Sequence, residues 1–410
     1  MIEKKSKILN DPVYGFVSIP YGIVFDLVEH PYFQRLRGIK QVSLTHYVYP
    51  GALHTRFHHA LGALHLMQQA IAVLREKGID ITTEEAESAS IAILLHDIGH
   101  GPFSHTLEHT LLDDVHHEDV SRFFMERLND EFEGQLNTAI DIFTGDHPKH
   151  FLHQLVSGQL DMDRLDYLTR DSYFTGVSEG VIGYDRIIKM LNVIDNRLVV
   201  EQKGIYSVER FLTSRRIMYW QVYLHKTVVA AEQMLILVLQ RARQLVEAGQ
   251  RVWAPPALAY FLKNRITTAD FRERRNTLLT YFAALDDTDI SAAVKAWQGS
   301  PDGQLSYLSY GLVNRRLFRL EFRNEPFAED YLEDLRRRLR EHPELPTGAE
   351  HFLIVGDESN TAYTTSKDEI MVCMKDDRVV PMSMVSDFGI APRTFTKHFV
   401  CYPKELDKKG

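Results

Sequence analysis

Residues 82–99 read TTEEAESASIAILLHDIG, and this stretch decides the kind of fold. Thr82 and Glu85 have the spacing of a capping box, which predicts that a helix begins here. The sequence is then apolar on every side from residue 91 to residue 95. A helix that is apolar all round lies in the interior of a protein, and Gly99 is expected to end it. The stretch therefore predicts a helical protein built around a buried helix.

The pair His96-Asp97 follows directly on this apolar helix. An ionised carboxylate in apolar surroundings loses several kcal/mol of hydration unless another charge replaces the lost water. One interpretation is a divalent cation held by the pair, and the other is a salt bridge from Asp97 to a nearby arginine. The pair alone does not decide between them, so other residues must converge on it.

A second histidine-rich segment lies upstream, where residues 54–59 read HTRFHH at the start of a helix predicted over 55–77. Its apolar residues alternate in steps of three and four, which predicts one core-facing stripe. The stripe consists of Phe57, Ala60, Leu64, Met67, Ile71 and Leu74. His59 falls on a second face that it shares with Gly62 and Ala63, whose small side chains leave room for a ligand.

A third polar segment lies downstream, where residues 161–171 read DMDRLDYLTRD. At helical spacing one face carries Asp163, Asp166, Tyr167 and Arg170, a density that suits phosphate and metal. Taken in isolation, the same pattern fits a solvated face with an ion pair from Asp166 to Arg170. The neighbouring segments favour the functional interpretation.

Further histidines lie between these segments, in residues 99–118. His105 and His109 are four residues apart, but the glutamate of the zinc-protease pattern should follow the first histidine and is Glu108 instead. That motif is therefore absent. The candidates for proton transfer are His100, His105 and His117, whereas His109 and His116 are expected to be surface residues.

The composition excludes several classes of protein. The chain has 410 residues, 44% of them hydrophobic, which is enough for a large core and excludes disorder. A net charge of −9 argues against general nucleic-acid binding. The two cysteines, Cys373 and Cys401, are too few for a disulfide framework or a thiolate zinc site. Because neither a signal core nor a membrane span is evident, we expect a cytoplasmic protein.

The fold class expected from these patterns is mainly α, with a helical bundle and a smaller C-terminal α+β region. Residues 1–260 are predicted as a mostly helical catalytic domain and residues 261–410 as a helical, then α+β region, with the seam near Pro255-Pro256. Short strands are predicted over 315–323 and 351–356, and a hairpin over 369–385.

In their order along the chain, RFHH at 56–59, HDIGHGPFSH at 96–105 and DMD at 161–163 resemble the HD-domain phosphohydrolases. The likeness is strongest to their deoxynucleoside triphosphate triphosphohydrolases, which include the vertebrate enzyme that joins a SAM domain to an HD domain. The resemblance implies an HD-type bundle that holds a divalent cation, whether magnesium, manganese, iron, nickel or zinc. The ligands that it implies are His59, His96, Asp97 and Asp163.

In this family the metal and its bound water face the α-phosphorus of a nucleotide, and the products are a deoxynucleoside and intact triphosphate. The resemblance assigns proton transfer and phosphate contact to His117, His100, His105 and Glu108, where Glu108 replaces an aspartate. It assigns contacts with the phosphates, sugar and base to Gln41, Arg56, Arg164, Tyr167, Asp171, Arg215 and Tyr223.

The family also implies a homo-oligomer, dimer or tetramer, that nucleotides bound between subunits activate allosterically. The residues near its effector-contacting positions are Lys7, Asn10, Glu29, Gln34, Arg37, Arg315 and Arg319. Glu29 stands where the vertebrate enzyme has an aspartate for guanine recognition. For Arg315 and Arg319 the other interpretation is a solvated edge strand.

Two alternatives to a deoxynucleoside triphosphatase stay open. The first is another HD phosphohydrolase, although Gly99-His100-Gly101-Pro102 differs from the signatures of the enzymes that act on cyclic dinucleotides and alarmones. The second is a non-catalytic nucleotide sensor, which thermal shift with nucleotide and metal would separate from an enzyme.

Overall fold

The structure is a computed structural model that describes residues 6–361, 363, 369–387 and 394–407. Its helices are α1 (Ile23–Glu29), α2 (Pro31–Gln34), α3 (Arg56–Glu76), α4 (Thr83–Leu95), α5 (His105–Leu111), α6 (His117–Glu131), α7 (Asn137–Thr144), α8 (His150–Ser157), α9 (Met162–Thr175), α10 (Tyr184–Lys189), α11 (Ile205–Met218), α12 (Lys226–Glu247), α13 (Pro256–Lys263), α14 (Thr268–Ala283), α15 (Asp287–Trp297), α16 (Gly303–Val313), α17 (Glu329–Glu341) and α18 (Met382–Val385). Its strands are β1 (Ser6–Asp11), β2 (Gly15–Pro20), β3 (Leu191–Ile194), β4 (Arg197–Glu201), β5 (Arg319–Arg323), β6 (Ile354–Thr361), β7 (Met371–Cys373), β8 (Val379–Pro381) and β9 (Thr394–Tyr402). The mainly α fold with a smaller strand-containing C-terminal region is confirmed.

Helices α3, α4 and α9 pack together at the centre of the bundle. The capping box at the start of α4 forms as predicted, since Thr82 Oγ1 accepts from the Glu85 N–H (3.1 Å) and Glu85 Oε2 accepts from the Thr82 N–H (2.8 Å). The six stripe residues of α3 are buried, and so is most of its opposite face. The centre of the fold is therefore a layer of interior helices.

Helix α4 ends at Leu95, four residues before the glycine that was expected to end it. The residues after it form a turn, in which Gly99 touches the start of α6. A Cβ on Gly99 would lie 2.2 Å from the Ser121 nitrogen and 2.3 Å from the His117 carbonyl oxygen. This glycine is needed because the backbone of α6 packs directly against it. The turn also contains His96 and Asp97.

The strands form three sheets, in the orders β1-β2, β3-β4-β7-β8 and β5-β9-β6. Residues 1–260 were predicted to be mostly helical, and the antiparallel hairpin β3-β4 within them was not predicted. Asp195 and Asn196 make its turn with φ of 48° and 63°, which these residue types tolerate. The hairpin is completed by β7, which pairs in parallel with β4 from far along the chain.

The C-terminal strands lie close to their predicted places. The strand expected over 315–323 begins at Arg319, and the one expected over 351–356 runs from Ile354 to Thr361. The hairpin β7-β8 forms within 369–385 as predicted. One hydrophobic core contains residues from both sides of residue 260, so the domain boundary there stays a prediction.

Among the described residues, no single helix is long and apolar enough to cross a membrane. The bent pair of segments Gln202–Tyr223 and Lys226–Glu247, at 57° to each other, passes that test by length and composition only.

Candidate metal centre

Three central elements bring two imidazoles and two carboxylates together. His59 lies in the first turn of α3, His96 and Asp97 follow α4, and Asp163 lies in the first turn of α9. The His59 Nε2 atom is 3.1 Å from Asp163 Oδ1, 3.6 Å from Asp97 Oδ2 and 3.4 Å from His96 Nε2. His96 Nε2 is 3.5 Å from Asp163 Oδ1 and 3.4 Å from Asp97 Oδ1. The four residues predicted as metal ligands are thus neighbours, and each of the two imidazoles lies within 3.6 Å of both carboxylates. Asp97 also belongs to a second group that could hold a metal ion, with His100 and His117.

The Nδ1 atom of each imidazole, on the side away from the other ligands, makes a hydrogen bond within the protein. The Nδ1–H of His59 donates to Asp166 Oδ2 over 2.8 Å, and that of His96 donates to the Ile93 carbonyl over 2.6 Å. Because Nδ1 carries a proton in both rings, Nε2 is the atom that each ring offers to a cation. The ligand atoms of His59, His96 and Asp163 lie within 4.8 Å of one another, a spacing that could hold a metal ion. The nitrogen and carboxylate donors suit a divalent transition metal or magnesium.

A buried ion pair supports His59 from behind. Arg170 donates from Nε to Asp166 Oδ2 (2.9 Å) and from Nη2 to Asp166 Oδ1 (3.0 Å). The predicted pair between these residues is therefore present, but both side chains are fully buried and not solvated. A Cβ on Gly62 would lie 2.0 Å from Asp166 Oδ1 and 2.2 Å from Arg170 Nη2. The room beside the small residues of α3 is thus filled by this pair, not left for a ligand.

Asp97 links the metal centre to a second group of imidazoles. Its carboxylate pairs with Arg56, whose Nε also donates to Ser104 Oγ over 2.8 Å. Asp97 Oδ1 is 3.3 Å from His100 Nε2, and the His100 ring stacks on His117 at 3.9 Å between centroids. The salt bridge to an arginine that the sequence left open is therefore real, and it coexists with the predicted ligand set.

The charges of the cluster shift its pKa values strongly. Burial alone would lower the pKa of His59, but hydrogen bonds to Asp163 and Asp166 raise it to about 10. Burial would raise the pKa of Asp97, yet Arg56 and His96 bring it well below its ordinary value. Burial, followed by the charge of Arg56, holds the pKa of His100 well below its ordinary value. The inner histidines therefore attract positive charge, whereas His100 stays neutral near pH 7.

Of the four residues predicted to grip phosphates, Arg164, Tyr167 and Arg215 lie on α9 and α11. The fourth, Arg56, begins α3 and pairs with Asp97. Arg164 donates to the Gly158 carbonyl over 2.6 Å and pairs with Asp161, the N-cap of α9. Burial raises the pKa of Tyr167, and the charges of Arg215 and Arg164 act against that rise. These side chains therefore adjoin one another at the edge of the metal centre.

The residues predicted to meet the sugar and base form a hydrogen-bonded chain. The Tyr223 hydroxyl donates to Asp171 Oδ2 over 2.7 Å, and His54 Nε2 lies 2.6 Å from Asp171 Oδ1. His54 is buried and stacks on Phe174 at 4.5 Å. Gln41 adjoins this chain, since its N–H donates to the His54 carbonyl over 3.0 Å. The sequence analysis quoted His54 but gave it no role.

The predicted effector residues are exposed, except for Gln34, which is half-buried. Arg37 donates to Gln34 over 2.7 Å and covers the ring of Phe57. Arg315 donates to the Tyr47 carbonyl over 2.9 Å, and Arg319 pairs with Asp407 at 2.9 Å on the edge strand β5. Lys7, Asn10 and Glu29 are exposed as well. Their role in effector binding stays a prediction.

Two predicted catalytic residues, His105 and Glu108, are on α5, but their side chains lie outside the described residues. His117 is the first residue of α6 and faces His100. The partners that the sequence analysis missed are His54 and Asp11. His54 contacts Asp171 and Asp11 contacts Arg170, and both pairs are more than a hundred residues apart in the sequence, so only the fold reveals these contacts.

Comparison with known protein families gives two matches along the chain. The HD domain matches residues 56–171, and the HD associated region matches residues 182–251. The first match begins with the residue that pairs with Asp97 and ends with Asp171. It therefore contains all four predicted ligands.

Related proteins match over different lengths. The uncharacterized protein YwfO of Bacillus subtilis is 30% identical over 98% of this chain and 93% of its own length. The deoxynucleoside triphosphate triphosphohydrolase SAMHD1 homolog of Dictyostelium discoideum is 33% identical over 62% of this chain, which spans 52% of that protein. A phosphohydrolase of Bacteroides thetaiotaomicron, known from its crystal structure, is 50% identical with a TM-score of 0.93. The superposition covers 97% of this chain and all of that one.

Proposed function

Because this chain belongs to the HD-domain phosphohydrolases, we propose that it hydrolyses deoxynucleoside triphosphates to a deoxynucleoside and inorganic triphosphate. The similarity to the Dictyostelium triphosphohydrolase, which covers about half of that protein's length, supports this substrate class. The reaction breaks the bond between the α-phosphorus and the 5′-oxygen, so the three phosphates leave as one unit.

The observation that supports the proposal is that the imidazoles of His59 and His96 each lie within 3.6 Å of both Asp97 and Asp163. We assign the cation to these four residues. A divalent cation bound there supplies an activated water and withdraws charge from the phosphoryl oxygens. Hydrogen bonds to Asp166 and to the Ile93 carbonyl fix the orientation of the His59 and His96 rings, so that each ring offers Nε2 to a cation.

The groups around the centre suit a triphosphate. Arg164 and Arg215 are planar cations that can each bind two phosphate oxygens, and the Tyr167 hydroxyl adjoins them. Because burial keeps the pKa of Tyr167 above its ordinary value, its hydroxyl stays protonated and can donate to a phosphate oxygen. We assign these three side chains to the phosphates.

A proton must reach the 5′-oxygen as the bond to phosphorus breaks. The stacked pair His100 and His117 lies beside Asp97. Since His100 has a pKa well below its ordinary value, it holds no second proton near pH 7, and we assign proton delivery to His117 Nε2. His100 would then orient the His117 ring by stacking.

The sugar is assigned to the chain formed by Tyr223, Asp171 and His54. Both Asp171 oxygens already accept hydrogen bonds within the protein, so each keeps one lone pair for a sugar hydroxyl. The Tyr223 ring, fixed by Asp171, would form the wall against which a 2′-carbon packs.

The test is product analysis on purified protein with Mn²⁺ and each deoxynucleoside triphosphate, alone and in mixtures. We expect inorganic triphosphate and deoxynucleoside, and mixtures would expose a requirement for an activating nucleotide. His96→Ala should lose metal binding and turnover together. His351→Ala, which removes an exposed imidazole outside the centre, should retain both. Pyrophosphate or a monophosphate as the product would contradict the proposed reaction.

A further inference from the structure

The N-terminal hairpin β1-β2 reaches the metal centre through one carboxylate. We infer that Asp11, at the end of β1, is a positioning residue that transmits the position of this hairpin to the imidazole of His59. The inference rests on the proposed function only in that both concern the same metal centre. It adds a residue and a mode of regulation for that centre.

The connection is an unbroken chain of short polar contacts. Asp11 Oδ2 accepts from Arg170 Nη1 over 2.8 Å, and Arg170 holds both oxygens of Asp166. Asp166 Oδ2 in turn accepts the Nδ1–H of His59 over 2.8 Å. The side chains of Arg170, Asp166 and His59 are fully buried, and that of Asp11 is 6% exposed. Water therefore cannot replace a contact that is lost along this chain.

The two oxygens of Asp11 have different tasks. Oδ1 accepts from the backbone N–H groups of Val13 and Tyr14, both over 2.9 Å, and so fixes the hairpin turn. Oδ2 holds Arg170. The same turn places the ring of Tyr14 5.5 Å from the Arg170 guanidinium. If this turn moves, Asp11 and Tyr14 move with it, and both of these residues contact Arg170.

The side chains in the rest of β1 are mostly exposed, and the strand is held mainly by its pairing with β2. Among its six residues only Asp11 is buried and only Leu9 is half-buried. Ile8 is 59% exposed, and Phe16 on the paired strand is 66% exposed. A molecule that binds these exposed side chains would act on the hairpin. The buried attachment of the hairpin is Asp11, which holds Arg170. The predicted effector residues Lys7 and Asn10 lie on this same strand.

Helix α3 is also built around this chain of contacts. Gly62 lies inside a 21-residue helix, at a position where glycine weakens the helix relative to alanine. Its missing Cβ is where Asp166 and Arg170 meet. A loose surface ion pair would not require such a cradle. The pair is held from α3 on one side and from Asp11 on the other.

The variant that isolates the proposed role is Asp11→Asn. Asparagine keeps an oxygen for the Val13 and Tyr14 N–H groups, so the turn is retained, but the charge facing Arg170 is lost. We expect the affinity for Mn²⁺ alone, measured by calorimetry without nucleotide, to fall about tenfold, the lower end for partners behind a metal ligand. Turnover should recover at saturating Mn²⁺ with an unchanged KM for nucleotide. Asp26→Asn, an exposed carboxylate of α1, is the matched control and should bind Mn²⁺ like the parent protein.

A second pair of variants moves the hairpin without touching Asp11. Gly15 pairs with Asp11 across the hairpin and has a φ of +79° with no atom near its Cβ position. Gly15→Val strains this turn and should weaken Mn²⁺ binding, whereas Gly15→Asn tolerates the conformation and should not. This pair gives a result even if Asp11→Asn does not fold.

Mn²⁺ binding uses no nucleotide, so its outcome is separate from that of the proposed reaction. Parental Mn²⁺ affinity in folded Asp11→Asn, or equal affinities of the two Gly15 variants, would overturn the inference even if triphosphate is released. Weakened binding in Asp11→Asn and Gly15→Val would support it even if the substrate proves to be another phosphate ester.

Discussion

Replacing Gly62 by alanine tests whether the ion pair behind His59 is as tightly built as its contacts indicate. In an ordinary helix interior this change stabilises by about 1 kcal/mol, because alanine restricts the unfolded chain and favours the helix. Here the new methyl group would lie 2.0 Å from Asp166 Oδ1 and 2.2 Å from Arg170 Nη2. Neither distance is possible, so the pair must move.

The expected magnitude follows from two opposing free energies. Separating a buried ion pair costs about 3–5 kcal/mol, and the helix gain of about 1 kcal/mol offsets part of that. We therefore expect Gly62→Ala to lower the free energy of unfolding by about 2–4 kcal/mol. At an unfolding entropy of roughly 2.1 cal/mol/K per residue, that loss over 410 residues lowers Tm by about 2–5 °C.

The assay is denaturant and thermal unfolding of the metal-free protein, with Mn²⁺ calorimetry on the same samples. Gly183→Ala is the matched control, since Gly183 has a φ of −86° and no atom within 4 Å of its Cβ position. Its free energy of unfolding should change by less than about 1 kcal/mol. If Gly62→Ala is as stable as the parent and binds Mn²⁺ equally well, the pair is not held as we describe.

Three further predictions concern other parts of the chain. Mn²⁺ at a hundred times its Kd should stabilise the parent protein by about 2.7 kcal/mol, and His96→Ala should lose that increment; an equal Tm rise in both would exclude His96 as a ligand. Tyr223→Phe removes one of the two donors to buried Asp171, so it should destabilise the protein by about 1–3 kcal/mol and lower the discrimination between deoxy- and ribonucleotides. Unchanged discrimination would show that Tyr223 does not contact the sugar. Burial raises the pKa of Glu232 to about 7, against hydrogen bonds from Thr106 and Ser43, whereas the unfolded value is 4.5. Between pH 4.5 and about 7 the folded state thus keeps a proton on Glu232 that the unfolded chain releases, so the free energy of unfolding falls as the pH rises through this range. Glu232→Gln should therefore stabilise the protein by up to ~3 kcal/mol at pH 8 and not at pH 4. Equal effects at both pH values would contradict this assignment.

The helical part of the fold could be predicted because its signals are local. The capping box of Thr82 and Glu85 lies within one turn, and the apolar periodicity of α3 extends along one helix. The hairpin β3-β4 was missed because its strands are short and gain their partner from β7, far along the chain. Its turn at Asp195-Asn196 was the one local signal for it.

The candidate ligands could be proposed from the sequence because charged residues stand out in apolar patterns, and the family resemblance implied the set of four. The groups behind them could not, since nothing local joins Asp11 to Arg170 or His54 to Asp171. The Asp166–Arg170 pair was visible as a helical spacing, but the sequence could not tell that it faces His59 and not solvent. Burial of a polar face is a property of the packed bundle.

The charges of the cluster explain why it suits a divalent cation. Four carboxylates, Asp11, Asp97, Asp163 and Asp166, face two guanidinium groups, Arg56 and Arg170, which leaves two negative charges.

In metal-free protein the inner imidazoles compensate, since the pKa of His59 rises to about 10 and that of His96 also rises, in both cases because nearby carboxylates outweigh burial. A divalent cation and the imidazole protons therefore compete for the same negative charges, and binding must release protons. Because the pKa of His59 is about 10, we expect calorimetry in buffers of different ionisation enthalpy to show at least about one proton released per Mn²⁺ near pH 7, with an affinity that rises with pH. Asp166→Asn removes one of the carboxylates that raise the pKa of His59, so this variant should release fewer protons than the parent. Metal binding that releases no protons and is independent of pH between 6 and 8 would show that the cation is held elsewhere.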